Sequence, residues 1–261
     1  MNEKISAFLA NRNKNRIVFI TGAGISAESG IQTFRDHNGL WNKYRVEDVC
    51  SMNTFHKNYK DVHKFYNKRR IELGKVNPNA AHKFLANIQK EFGDDRVSII
   101  TTNIDDLHER AGSTNVLHVH GLLTEVIEPF TWEEYAIKKI GYTEWKPMDG
   151  IVSKPNVMFF GEQWVYTNGR RCEPYKDMEK IIFNLNENDI VFIIGCSHTV
   201  VNFSEYFSPE HSKFEHPSKV FSVDVNIKST PFHHDFSTFI TKGATDSIED
   251  MMDIIKEKYN K

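Results

Sequence analysis

Apolar residues recur along this chain in short unbroken runs rather than in strict alternation. Ile17-Val18-Phe19-Ile20, Val97-Ser98-Ile99-Ile100, Ile190-Val191-Phe192-Ile193-Ile194 and Lys219-Val220-Phe221-Ser222-Val223-Asp224 each read as a strand buried in a parallel sheet. Helical spacing fills much of the rest: residues 3–11, a segment opened by Asn79-Ala80-Ala81-His82 and carried by Phe84, Leu85 and Ile88, residues 175–186, and a last helix from about Ser247 to Tyr259. Shorter strands are expected near Phe239-Ile240 and over Asn156–Glu162, the latter ending at a glycine turn. Strands alternating with helices predict an α/β fold: a Rossmann-like, doubly wound parallel sheet.

Two segments break the alternation. From Asn42 to Pro78 the strand signals vanish, and Phe55, Tyr59, Val62 and Phe65-Tyr66 fall at helical spacing, which reads as a small helical insertion. Residues 122–153 lose clear periodicity and read as a second insertion. The expected division is therefore 1–41, 79–121 and 154–261 for the sheet domain, with 42–78 and 122–153 forming a small module. No internal repeat or low-complexity tract interrupts this plan.

Composition changes the picture mainly by exclusion. The 261 residues carry a net charge of −2 and a pI near 6.6, so no global charge draws the chain to nucleic acid or to an anionic membrane. No window approaches the roughly 18 apolar residues of a membrane span, and Met1-Asn2-Glu3-Lys4 lacks the apolar core of a signal peptide. A cytoplasmic monomer is expected. Three cysteines, Cys50, Cys172 and Cys196, cannot all pair and suit a reducing compartment.

The first strand runs into Thr21-Gly22-Ala23-Gly24-Ile25-Ser26-Ala27, a G-x-G-x-x-A pattern that can bring main-chain N–H groups to a pyrophosphate. The same pattern serves a tight turn that needs glycine for positive φ. A dehydrogenase would continue into a long helix and then a strand ending in an acidic residue. Here Gly30-Ile31-Gln32-Thr33-Phe34-Arg35-Asp36 interrupts the helix instead. The second strand ends in the polar stretch Thr101-Thr102-Asn103-Ile104-Asp105-Asp106-Leu107-His108, at the edge where open α/β sheets bind ligands. Leu117-His118-Val119-His120-Gly121 follows soon after.

The stretch from Gly22 to Asp36 resembles the first signature of the sirtuins, the NAD-dependent protein lysine deacylases, and follows their bacterial class III branch. With the Asn-Ile-Asp and His-Gly motifs, the resemblance extends from Ile17 to Asn226. It implies NAD as cosubstrate and acyl-lysine in proteins or peptides as the partner, giving nicotinamide, O-acyl-ADP-ribose and free lysine. His120 would be the general base, which its neutral-range pKa suits; a histidine on an apolar strand is otherwise more often structural, as expected for His118. Asn103 would order the ribose and a water, and Asp105, beside Ile104, would bind the nicotinamide carboxamide, although short polar side chains here can also cap helices. Gly22, Ala23, Gly24 and Arg35 would serve phosphates and ribose, Phe34 would screen C1′ from water, and Ser197 and Asn226 would reach the adenosine. Simple packing for Phe34 and a solvated charge for Arg35 are the plainer alternatives.

For the substrate, Val157, Phe160, Gly161 and Glu162 match the segment along which sirtuins lay an extended peptide, unless it is an ordinary sheet edge. Tyr66 and Arg69, three apart on a helix, can converge on one carboxylate. In isolation they would mark an exposed basic face, but the resemblance implies a pocket for succinyl, malonyl or glutaryl groups, with Cys50 where the branch has a small alanine. The chain also departs from the family. Residues 121–171 contain no cysteine, so the paired cysteines of a structural zinc site are missing, no metal is expected, and Trp132, Tyr135, Ile137, Tyr142 and Trp145 are the expected core of the module. Thr102, Cys196 and Asn202 replace the usual Gln, Thr and Pro. The competing functions are an NAD hydrolase or mono-ADP-ribosyltransferase, and a non-enzymatic sensor of NAD or ADP-ribose.

Overall fold

The structure, a computed structural model, describes residues 3–32, 45–131, 135–162, 173–208, 210 and 219–259. In chain order it runs α1 (Glu3–Ala10), β1 (Ile17–Thr21), α2 (Ala23–Ala27), α3 (Val46–Val49), α4 (Met52–Phe55), α5 (Tyr59–Leu73) and α6 (Ala80–Phe92). Next come β2 (Val97–Thr101), α7 (Leu107–Arg110), β3 (Val116–His118), β4 (Gly121–Phe130), β5 (Tyr135–Lys139) and β6 (Lys154–Val157). The chain closes with α8 (Glu173–Asn184), β7 (Ile190–Ile194), α9 (Ser204–Phe207), β8 (Phe221–Val225), β9 (Thr238–Ile240) and α10 (Ile248–Tyr259).

Six strands form one parallel sheet in the order β3-β2-β1-β7-β8-β9. The unbroken apolar runs follow from burial of both faces, because successive side chains point to opposite sides. Val18, Ile20, Val191 and Ile193 pack with Ile5 and Phe8 of α1 and with Met178, Ile181 and Ile182 of α8. Ile17, Phe19, Ile190, Phe192 and Ile194 face the other way, onto Phe84, Leu85 and Ile88 of α6 and Met251 and Ile255 of α10. Phe19 and Phe192 stack at 5.5 Å between ring centroids, fastening β1 to β7. Each such side chain contributes about 1.5–3 kcal/mol by leaving water. The Asn79 side chain accepts from His82 N at 3.2 Å and caps α6, as its position before an apolar-periodic run leads one to expect.

The small module is helical only in its first insertion. Residues 122–153, which show no periodicity in sequence, supply β4 and β5 of a three-stranded antiparallel sheet ordered β5-β4-β6. Register shifts between Gly121 and Val126 and between Ile127 and Phe130 break the two-residue alternation, so the strand left no regular trace. Lys154–Val157 pairs with β4 in this sheet rather than with the parallel one.

The module's core also differs from expectation. Ile137 and Tyr142 are 51% and 37% exposed, and Trp145 is partly exposed. Trp132 lies outside the described residues. The core is instead Val49, Cys50, Phe55, Val62, Phe65, Tyr66, Leu73, Leu107, Leu123, Val157 and Phe159. Fully buried Arg70 ties α5 to β4 by donating from Nε to Leu123 O at 2.7 Å, and burial lowers its pKa to about 10. Among the described residues, no helix is long and apolar enough to cross a membrane.

Candidate active site

The strand order reverses at β1, with β2 on one side and β7 on the other, so a crevice opens at their carboxyl ends. Gly22, Ala23 and Gly24 follow β1, Thr102 to Asp105 follow β2, Ser197 lies just beyond β7 and Asn226 just beyond β8. The glycines have a packing reason. Gly24 N donates to Gly195 O at 3.0 Å, and a Cβ on Gly22 would lie 2.7 Å from that same oxygen. A Cβ on Gly24 would lie 2.6 Å from Gly195 Cα. Gly22 has φ −119°, so close approach rather than left-handed backbone demands glycine there. The left-handed residue is Gly195 at φ +64°, across the crevice. A crevice lined by glycine backbone and side-chain amides at such a reversal fits a dinucleotide.

Asn103 and Asp105 belong to one buried network. Asn103 Nδ2 donates to Gly22 O at 3.0 Å and to Ser26 Oγ at 3.3 Å, and Ser26 Oγ donates to Asp105 Oδ2 at 3.0 Å. Leu107 N donates to Asp105 Oδ1 at 3.2 Å, so Asp105 braces the start of α7 from one residue before its N-cap, Asp106, whose side chain makes no cap bond. Burial raises the pKa of its carboxyl, while the Leu107 N–H and Ser26 oppose the rise. Ile104 O accepts from Leu123 N at 2.7 Å, tying this loop to β4. Thr102 spends its hydroxyl on Thr21 O at 3.2 Å, which fixes it against β1. Asn226 Nδ2 donates to Cys196 O at 2.7 Å, joining the ends of β8 and β7. Cys196 is buried, and Asn202 accepts from Ser204 N at 3.2 Å, opening α9.

His120 sits beside this network. Its Nδ1 lies 3.0 Å from Thr102 O, an acceptor only, so the neutral ring carries its proton on Nδ1 and leaves Nε2 as the basic atom. Burial lowers its pKa against the smaller opposing effect of the Thr102 carbonyl. Nε2 is 2.7 Å from the hydroxyl of Tyr175, a residue that nothing in the sequence marks beyond its place at the start of α8. His118 contrasts with it. Its Nδ1 meets Asn103 O at 3.1 Å and its Nε2 meets Glu109 Oε1 at 2.8 Å, a structural tie between β3 and α7. Burial pushes its pKa down, but Glu109 and the Asn103 carbonyl reverse the sign and the net shift is upward.

Cys50, Tyr66 and Arg69 converge across α3 and α5. Tyr66 is buried, stacks on Phe159 at 5.6 Å and shares a hydrogen bond with the Cys50 thiol. Burial raises both their pKa values. Arg69 is half-buried; desolvation lowers its pKa, opposed by the charges of Glu72, Tyr66 and Asp105. It forms no hydrogen bond or ion pair with another described residue.

The peptide segment is less open than a free sheet edge. Val157 O accepts from Lys154 Nζ at 2.5 Å, Met158 N donates to His120 O at 2.9 Å, and Phe159 N donates to Glu162 Oε2 at 2.8 Å. Phe160 pairs through both backbone groups with Cys50 O and Met52 N, each at 2.9 Å. Glu162 N in turn donates to Phe159 O at 3.0 Å, so pairing with an incoming chain falls to Gly161, while exposed Phe160 offers a side chain. Glu162 itself is held by buried Lys154 at 2.9 Å. Phe34 and Arg35 lie outside the described residues, as does Cys172. Among the described residues, no group of three or more His, Cys, Asp or Glu is arranged to hold a metal.

Known proteins resemble this chain in sequence and fold. The chain is 40% identical over 208 residues to an NAD-dependent protein deacylase of Helicobacter hepaticus, covering 72% of this chain and 77% of that one. It is 35% identical over 246 residues to an NAD-dependent protein deacylase of Shewanella oneidensis, covering 92% and 93%. The solved structure of a Sir2 homologue in complex with NAD superposes with a TM-score of 0.75 at 27% identity, covering 98% of this chain and 94% of that one. The profile of the Sir2 family matches residues 22–202, more than half the chain, and with a parallel sheet, crevice and relatives of that kind the chain belongs to the Sir2 family.

Proposed function

We propose that the protein is an NAD-dependent protein lysine deacylase whose pocket favours acyl groups ending in a carboxylate, such as succinyl and malonyl, over acetyl. The observation that carries the acyl preference is Arg69. A half-buried guanidinium that forms no hydrogen bond or ion pair with another described residue, beside the phenol of Tyr66, is poised for an anionic partner. Asn103, Asp105 and the Gly22–Gly24 loop would hold NAD, with Ser197 and Asn226 toward the adenosine. His120 would accept the ribose proton at Nε2. Phe34 and Arg35 would complete the site.

NAD supplies the leaving nicotinamide and the acyl-accepting ribose; the protein's part is to orient them, exclude water and move one proton. Gly161 would pair with the backbone of the peptide that carries the lysine. Packing around Phe55, Phe65 and Phe159 supports a small module that needs no zinc. Elemental analysis showing about one zinc per chain, with unfolding on chelation, would overturn that part.

The test is nicotinamide release from NAD with no peptide, with acetyl-lysine peptide and with succinyl-lysine peptide. Release that depends on peptide, with succinyl at least as good as acetyl, is expected. Release without peptide would instead mark an NAD hydrolase, and no release with any peptide would mark a sensor.

A further inference from the structure

The lone pair of His120 is already taken. Its Nδ1 proton is committed to Thr102 O at 3.0 Å, so Nε2 holds the one basic pair of the neutral ring, and the Tyr175 hydroxyl lies 2.7 Å from it. The carbonyl at Nδ1 fixes the tautomer, so the phenol must be the donor in this contact. A nitrogen with one in-plane lone pair accepts one strong hydrogen bond. A substrate hydroxyl arriving at His120 must therefore displace the phenol or pass its proton through it.

Displacement is the harder course. Tyr175 is only 9% exposed and belongs to the core beneath the sheet, with Leu117, Val119, Met178 and Tyr206. Its backbone is the third residue of α8, a helix anchored by Met178, Ile181 and Ile182 at 0% exposure. Swinging the ring away would uncover apolar surface at about 25 cal/mol per Å2. A phenol oxygen, by contrast, can accept one hydrogen bond while it donates another.

We propose that Tyr175 is a catalytic residue that relays the proton from the ribose hydroxyl to His120, a step that rests on the assignment of His120 as general base. The ribose O–H bond breaks and its proton passes to Tyr175 Oη. The phenolic proton passes in the same step to His120 Nε2, and the ribose oxygen keeps its electron pair to form the new bond to the acyl carbon, whose C=N π bond breaks and leaves its pair on the lysine nitrogen. The phenol ends neutral, the imidazole becomes imidazolium, and no other reactant is needed. Burial pushes the Tyr175 pKa up to about 12, into the range of a sugar hydroxyl, so the two protons exchange between groups of similar acidity.

The test compares Tyr175→Phe with His120→Ala and begins without NAD. In the free protein the phenol stabilises the neutral imidazole, so its removal should raise the His120 pKa seen by NMR titration. An unchanged titration would mean the hydrogen bond is absent and would overturn the relay. With NAD and acyl peptide, Tyr175→Phe should lower deacylation by about 100-fold, the scale of a lost proton-transfer group. Nicotinamide exchange, which precedes the proton transfer and also reports folding, should stay within about threefold of the unaltered enzyme. The double variant should be no slower than His120→Ala alone. Tyr175→Phe with normal or faster deacylation would show that the ribose simply displaces the phenol, and equal loss of exchange and deacylation would show a structural role; either overturns the proposal. A fully active His120→Ala would instead sink the assignment of the base.

Discussion

Arg16 and Asp189, both fully buried, form a two-pronged ion pair, Nε to Oδ1 at 3.2 Å and Nη2 to Oδ2 at 2.7 Å. They stand just before β1 and β7, whose first residues, Ile17 and Ile190, are register partners. Arg16 N also donates to Asp189 Oδ1 at 2.9 Å, and its guanidinium reaches Asn184 Oδ1 at 2.7 Å. The pair therefore sets the alignment of the two strands that flank the nucleotide crevice.

Breaking that pair should be costly. Asp189→Ala leaves a buried guanidinium without its counter-ion, a loss of about 3–5 kcal/mol, whereas Arg16→Met with Asp189→Leu removes both charges and should be milder than either single change. Urea unfolding of Asp189→Ala, of each single change and of the double variant checks this. A single variant within about 1 kcal/mol of the unaltered protein would show that water reaches the site.

How much of this was legible follows the physics of each part. β1, β2 and β7 stood out because both their faces are buried, which leaves unbroken apolar runs. β4 did not, because its register shifts erase alternation. Tyr142 looked like core but donates to Asp106 and lies under the Arg110 guanidinium at 5.5 Å, an amphipathic use that composition does not distinguish from burial. Gly22, Asn103 and His120 stood out through family motifs rather than through proximity, since Gly22 and Asn103 lie 81 residues apart. Tyr175 and the Arg16–Asp189 pair were not, since each depends on contacts across 55 or 173 residues.

Acid should destabilise the fold before the carboxylates titrate. His63 bonds through Nε2 to Ser153 O at 3.1 Å, His82 through Nδ1 to Asn79 Oδ1 at 2.9 Å, and burial lowers the pKa of each to about 4. The unfolded chain binds those protons near pH 6.5, so stability is full above that value and falls with pH down to about 4. By linkage the fall from 6.5 to about 4 withdraws on the order of 3 kcal/mol per histidine. Urea midpoints at pH 7.5, 6 and 5 should decline in that order, and His63→Gln should flatten the decline. A midpoint constant over this range contradicts the assignment.

The same reasoning applies to the rate. Since burial lowers the pKa of His120, the ring stays neutral in the folded protein to below the ordinary 6.5. The acid limb of kcat/KM should therefore fall below that value. His120→Ala should lower deacylation roughly 100-fold or more while NAD still binds, as calorimetry can show. An acid limb above pH 7 would assign the titration to another group.

Arg69 gives the sharpest test of acyl choice. An acetyl group offers the guanidinium nothing, whereas a succinyl carboxylate can accept two of its N–H groups, with the Tyr66 phenol adjoining. A charge-assisted hydrogen bond contributes about 1.5–3 kcal/mol, so Arg69→Met should cost roughly 10- to 100-fold in kcat/KM on succinyl peptide. The loss on acetyl peptide should be much smaller, because methionine preserves the apolar stem that packs along α5. Arg70, the next residue, is the control: it is fully buried and bonded to Leu123 O, so Arg70→Met should lower stability and depress both activities together. Equal losses on the two peptides for Arg69→Met would make Arg69 structural as well, and the preference for acidic acyl groups would fall while the deacylase assignment stood.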